Sequence, residues 1–336
     1  MYQKFVKVLQ FVFFLTIGLI LLYYAFRDID LNELMLQIKQ ADYRWVALSL
    51  VFATLALVFR AFRWQLLIEP LDEHPKRTNI FHAINIGYLA NFVFPRMGEI
   101  VRCGILNRTD HVAAGSLFGT VIVERIFDVL MVVLTLCIIL LFRFHMVVDF
   151  MMEQMIQPLI NNLQGMMHLG WPLAFIALTI LIFLFCMWIF RKKLSKISVI
   201  QKFKDLIQGV FTGIQSARRM RSFGLFMLLN ILVFVMYALQ SYVMFFSLES
   251  TTSLGFVDAL FILAISSLAM IVPVQGGIGA YHWIVSMGLT IYGLTREDGM
   301  VFATISHSVT SILFILLGAV SLFFVFFGSR SKKKNV

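Results

Sequence analysis

Apolar residues in this chain come in long unbroken runs, not in the alternation or one-sided stripes of a water-soluble fold. Six runs, at roughly 6–26, 45–68, 116–142, 171–190, 223–247 and 300–327, reach the length of about 20 residues that carries a helix across a bilayer core. Two shorter runs behave differently. Residues 79–94 stop at Pro95-Arg96-Met97-Gly98-Glu99, and residues 258–272 stop at Pro273-Val274-Gln275-Gly276-Gly277-Ile278-Gly279. Each first arm has about 15 or 16 residues, hence about 22–24 Å of helix, short of a core about 30 Å thick. Proline and glycine end one helix and start another, and a second short helical stretch follows each break. The pattern predicts two helical hairpins that dip into the membrane and return on the side they entered.

Composition agrees with the pattern. Of the 336 residues 60% are hydrophobic and 14% charged, whereas an ordinary soluble domain is about half apolar and a quarter charged. A soluble fold could not hide that surface from water. The expected architecture is an all-α polytopic membrane bundle, one transmembrane domain over 1–336 with no separate soluble domain. Lys4 and Lys7 stand at the start of the first run, which ends without a small-residue cleavage pattern and is read as an uncleaved span. Cys103, Cys137 and Cys186 have no metal-ligand spacing and read as small hydrophobes in the bundle.

Net charge is +10. The basic residues lie in short segments between runs, so they signal topology and not nucleic-acid binding. Segment 191–221 has nine Lys and Arg against one acid, Asp205, and the tail has Arg330, Lys332, Lys333 and Lys334. Segment 143–170 has Arg143 alone among bases, and 248–257 has Glu249 and no base. The positive-inside rule places both termini in the cytoplasm of a plasma (inner) membrane protein. The first hairpin then opens inward and the second outward. Residues 1–145 and 170–330 each read span, span, hairpin, span, with three crossings per half, so the halves are inverted repeats. Pro-x-x-Gly recurs at matching points, Pro95–Gly98 and Pro273–Gly276. Interrupted segments at corresponding positions of two halves mark a substrate site near the midplane.

Two amphipathic helices are expected at the interface. Asp30 and Glu33 form a capping-box pair ahead of Leu31, Leu34, Met35, Ile38, Ala41 and Trp45, and residues 197–214 place Ile197, Ile200, Phe203 and Ile207 on one face. Met151, Met152, Met155, Met166 and Met167 read as a flexible apolar contact, not as metal ligands.

Charges inside spans need partners or a task, because each costs about 2.5–3.5 kcal/mol at a helix centre on insertion scales. Arg60 and Arg63 share a helix face. Arg96 and Glu99 sit at the first break, with Arg102 beyond it. Glu124, Arg125 and Asp128 lie in the third span, the two acids four apart. The inferred topology brings these groups together from the cytoplasmic side. Arg63 is near enough to the interface to snorkel. Two readings stand open: a closed salt-bridge network pinning the first half, or a cavity whose surplus arginines receive an anionic headgroup. In the second reading Glu99 and Glu124 orient the arginines or titrate. Gly276, Gly277 and Gly279 resemble an anion-binding turn, although close backbone packing at a hairpin tip is the more frequent cause of such a run. His282 and His307 are the other titratable groups at depth there.

These residues resemble the membrane region of lysylphosphatidylglycerol synthetase, in its stand-alone, flippase-like, UPF0104-type form, over essentially the whole chain. The pattern's Arg-Trp is matched by Arg63-Trp64, and its Glu-Arg-x-x-Asp by Glu124, Arg125 and Asp128. Its Pro-x-Arg-x-Gly-Glu-x-x-Arg is matched, one residue tighter, from Pro95 to Arg102. Its Gly-Gly-x-Gly is matched by Gly276, Gly277 and Gly279, but His282 stands where a Glu follows in the family, so proton coupling through that position is not implied. The resemblance implies translocation of lipid between leaflets, and no catalysis. In the two-part synthetases the aminoacyl transfer belongs to a separate soluble domain.

The sequence offers an intramembrane enzyme little. A multi-span glycosyltransferase would want an acidic pair at an outer loop, and 28–42 offers only the scattered acids Asp28, Asp30, Glu33 and Asp42. Intramembrane protease motifs are absent from the sequence, as is a nucleotide-binding motif. No cofactor or metal is expected. The expected partners are membrane lipids with anionic headgroups; an accessory role beside a synthase encoded elsewhere stays open.

Overall fold

A computed structural model of the chain describes residues 2–27, 29–71, 73–150 and 222–332, with positions 152, 156, 157 and 220. The described elements are α1 (Tyr2–Phe26), α2 (Leu31–Gln40), α3 (Tyr43–Ile68), α4 (Arg77–Val93), α5 (Gly98–Asp110), α6 (Ala114–Phe150), α7 (Phe223–Phe245), α8 (Phe256–Ala269), α9 (Ala280–Thr290) and α10 (Arg296–Lys332). The run at 171–190, the amphipathic stretch at 197–214, Cys186, Met151, Met155, Met166 and Met167 lie outside the described residues. Residues 1–142 with 209–336 form one compact unit, and 143–208 form another. Helix α6 leaves helical geometry at Arg143, at that division. The site and contacts below belong to the first unit.

Four described helices are long and apolar enough to cross a membrane: α3 with its last turn, α6, α7 and α10. The first apolar run is a different case. Its helix bends by 88° into α2, and the pair would add a fifth span. The described part is therefore an all-α membrane protein with four or five candidate spans, where six full spans were expected over the whole chain. Outward faces carry apolar side chains such as Val129, Val133, Leu141, Ile312 and Leu316, all exposed. Such a surface suits lipid and not water.

Local chemistry sets the helix ends. Asp30 caps α2, its carboxylate accepting from the backbone N–H of Asn32 and Glu33. The reciprocal arm of the expected capping box differs: the Glu33 carboxylate accepts from the Gln37 amide at 3.3 Å. Trp45 belongs to α3, not to the α2 face. Asp42 starts α3, accepting from the Arg44 N–H at 2.9 Å. Its own N–H donates to the Ser247 carbonyl at 2.8 Å, joining the start of α3 to the end of α7.

Both expected breaks are present. Between α4 and α5, Arg96 takes a left-handed φ of 61°, and the Asn91 side chain accepts from the Gly98 N–H at 2.7 Å. The arms pack so closely that a Cβ on Gly98 would lie 2.5 Å from the Gly87 carbonyl oxygen. Between α8 and α9 the chain makes a tight 3-10 turn at Gln275–Gly277, with positive φ at Gly276, Gly277 and Gly279. The arms are short: α4 and α5 span about 26 and 20 Å, α8 and α9 about 21 and 16 Å. The two breaks touch each other. The Arg96 guanidinium donates to the Ile271 carbonyl, and a Cβ on Gly276 would lie 2.5 Å from the Phe92 ring.

α7 packs most extensively on α3, while α10 packs on α4 and α9. Between α3, α4, α5, α6 and α7 lies the main apolar core, with Trp64, Leu67, Ile80, Leu106, Leu117 and Phe226 fully buried. That core fixes the helices bearing the charged side chains.

Candidate functional site

Arg60 and Arg63 lie one turn apart on α3 and face α6, where Glu124 and Asp128 also lie one turn apart. Two such pairs on facing helices form a ladder. Arg60 donates to Glu124 Oε1 at 3.0 Å through Nε and to Asp128 Oδ2 at 3.1 Å through Nη2. Arg63 donates to Glu124 Oε1 at 2.9 Å and to Asp128 Oδ1 at 2.7 Å. Arg102 of α5 closes the other carboxylate oxygen, Glu124 Oε2, at 2.9 Å. Arg125 reaches back to Glu124 at 2.8 Å and to Asp128 at 3.1 Å. Four guanidiniums thus surround two carboxylates, leaving an excess of two positive charges when all are ionised.

The network is deep. Arg63 and Glu124 are 0% exposed, Arg102 is 4% and Arg60 7%. Arg63 points inward and does not snorkel, contrary to the expectation from its place in the span. Both of its Nη atoms are engaged, with Nη1 also donating to Asn230 Oδ1 of α7 at 2.8 Å. The edge of the network is at Arg125 and Asp128, whose side chains are 42% and 18% exposed. Buried N–H groups remain without hydrogen-bond partners: Nε of Arg63 and Arg125, and both Nε and Nη2 of Arg102. The Arg102 guanidinium lies 4.5 Å from the Trp64 ring centroid, and Trp64 is held by its N–H donating to Thr120 at 2.9 Å.

Three neutral partners were not singled out in the sequence. Besides Asn230, Tyr88 of α4 and Tyr237 of α7 accept from Arg60 Nη1 at 2.7 and 3.1 Å. Asn230 and Tyr237 come from the second half of the chain. The cluster is therefore shared by both halves, whereas the charges alone placed it in the first. The one signal available was a neutral polar residue recurring at heptad spacing in an apolar span.

The other expected residues lie apart from this network. Arg96, exposed at the first break, reaches the second break and not the carboxylates. Glu99, half-buried in the first turn of α5, stands outside the network. In the second break the Gly277 N–H and the Ile278 N–H close the turn on Val274 and Gln275. A Cβ on Gly279 would lie 2.6 Å from the Leu22 backbone nitrogen of α1. Close packing accounts for these glycines. His307 Nε2 donates to the Gly276 carbonyl at 2.9 Å, and its ring lies 4.9 Å from that of His282. His282 is buried and its Nδ1 has no hydrogen-bond partner. Among the described residues no group of three or more His, Cys, Asp or Glu is placed to hold a metal ion, and Cys103 and Cys137 are free thiols.

Comparison with known proteins gives two concordant results. A family model described as "Lysylphosphatidylglycerol synthase TM region" matches residues 8–318. The chain is 23% identical to the UPF0104 membrane protein PH1989 of Pyrococcus horikoshii over 331 residues, covering 94% of this chain and 96% of that protein. It is 25% identical to the UPF0104 membrane protein MJ1595 of Methanocaldococcus jannaschii over 126 residues, which is 37% of this chain and 38% of that protein's length. No solved structure matches.

Proposed function

The chain belongs to the lysylphosphatidylglycerol synthase TM region family, and we propose that it moves a lipid with an anionic, phosphate-bearing headgroup between membrane leaflets. The observation that carries this reading is the excess of buried guanidinium over carboxylate, with N–H donors left unpaired on Arg63, Arg102 and Arg125. Burying that excess costs free energy that salt bridges alone do not offset. A phosphate entering at the Arg125 edge would pair with it, because guanidinium meets phosphate oxygens bidentately. Glu124 and Asp128 then act as internal stand-ins, holding the forks in register until the headgroup replaces them.

Two further features support transport. The order α3, α4/α5, α6 recurs as α7, α8/α9, α10, and each broken pair is too short for two crossings. We read the pairs as re-entrant hairpins of two inverted halves, the first open to the cytoplasm and the second to the outside, with both termini cytoplasmic. In this reading the chain is no enzyme and uses no cofactor. Its partners are anionic lipids and, where lipid is modified before transport, the modifying synthase.

The test is a flip assay in proteoliposomes of phosphatidylcholine with a trace of fluorescent phosphatidylglycerol, quenched from outside. Wild type should move the probe, and Arg63→Ala should abolish movement. A structural network has one observation in its favour, since both oxygens of Glu124 are already satisfied. Arg125→Gln discriminates, because that side chain is half-exposed at the edge. A purely structural role predicts wild-type flipping; a headgroup site predicts a loss of tenfold or more with the fold intact.

A further inference from the structure

A line of neutral polar groups leaves the arginine cluster and runs to the second break. Asn230, Tyr237 and Gln240 stand at i, i+7 and i+10, on one face of α7. The first two hold Arg63 and Arg60. Gln240, the third, donates its amide N–H to Thr310 Oγ1 of α10 at 3.0 Å. One turn away on the same face of α10 is His307, bonded to Gly276 at the second break and 4.9 Å from the His282 ring. From Asn230 to Gln240 is about 15 Å along α7, and from Thr310 to His307 about 4.5 Å along α10. Among the described residues no hydrogen bond joins the cluster to the break directly, and this line extends from one toward the other along α7 and α10.

Its exposure separates it from the core. Tyr237, Gln240 and Thr310 are half-buried, although they sit well inside spans and face neighbouring helices. Polar groups in hydrocarbon are sealed between helices or open onto a polar cavity. Those three are not sealed, and at the far end the buried Nδ1 of His282 has no hydrogen-bond partner. We infer that Tyr237, Gln240, Thr310 and His307 line the path along which the phosphate-bearing headgroup passes from the arginine cluster toward His282. The inference rests on the transport reading and adds a route and a second contact point. Each step offers a hydroxyl, amide or imidazole in place of water, while the acyl chains stay in the bilayer.

The experiment has two arms, both on the full chain in phosphatidylcholine vesicles. In the first, Gln240→Cys and Thr310→Cys are placed in a background with Cys103, Cys137 and Cys186 changed to Ser, and treated with an anionic, water-soluble methanethiosulfonate. Leu316→Cys, on the outward face of α10 and 58% exposed, is the lipid-facing control. Labelling at 240 and 310 should be at least tenfold faster than at 316; rates equal to the control overturn the route. In the second arm Thr310→Val and Gln240→Leu, checked for a monodisperse gel-filtration peak, should slow flipping of fluorescent phosphatidylglycerol tenfold or more. An active wild type with both variants at its rate removes the route and leaves the transport reading. An inactive wild type removes the transport reading, and the route with it.

Discussion

Glu124 accepts from four arginines at once, and Asp128 from three. Removing one partner of a buried pair leaves the other uncompensated, at about 3–5 kcal/mol. Glu124→Gln should therefore lower the thermal midpoint of the detergent-solubilised protein far more than Asp128→Asn, because the Glu124 side chain is fully buried and that of Asp128 is 18% exposed. Arg63→Lys should behave like a loss and not like a conservative change. A single ammonium cannot bridge Glu124, Asp128 and Asn230 with the geometry of the fork, and the midpoint of Arg63→Lys compared with Arg63→Ala measures this. Much of the cluster was legible beforehand, because ionised side chains in apolar runs are too costly to be incidental. Tyr88, Tyr237 and Asn230 were not, since neutral polar residues are ordinary in spans and only the facing charge reveals their role. Arg96 and Glu99 share a motif with Arg102, but the left-handed turn at Arg96 sends its side chain elsewhere.

At the scale of elements, the breaks were the most legible feature. Proline and glycine interrupt apolar runs there for reasons that hold in any context, and the helix ends fall within a few residues of the sequence bounds. What spacing does not show is how near the arms come. Gly98 meets the Gly87 carbonyl and the Asn91 side chain, while Gly104, on the same helix, has nothing within 4 Å of its missing Cβ. Gly98→Ala should push the arms apart and lower the thermal midpoint. Gly104→Ala should raise stability by about 0.5–1 kcal/mol, the ordinary helical gain from glycine to alanine. The opposite signs, measured side by side in the same detergent, separate a packing role from a preference for flexibility. The bend between α1 and α2 was only half legible: the cap at Asp30 marks a new helix, but its angle to α1 depends on tertiary packing.

For the whole molecule, the orientation proposed from crossings and basic residues makes a simple forecast. Cysteines at Glu249 and Thr252, in the short turn after α7, should react with an impermeant maleimide added outside intact cells. A cysteine in the basic segment before α7 should react only after permeabilisation. The inverse pattern would reverse both hairpins. The order of the described helices was readable because lipid imposes one apolar pattern on a span. The sharing of the cluster between halves was not, since it depends on α7 lying against α3 and nothing in either run names the other. The tie between the two breaks belongs to the same class. Arg96 bonds to the peptide carbonyl of Ile271, not to its side chain. Any residue at 271 supplies that acceptor, so position 271 is free to drift while 96 is constrained. Among related chains the two positions should show no correlated exchange despite being in contact, and a map built from co-variation alone would leave the hairpins unconnected at this point.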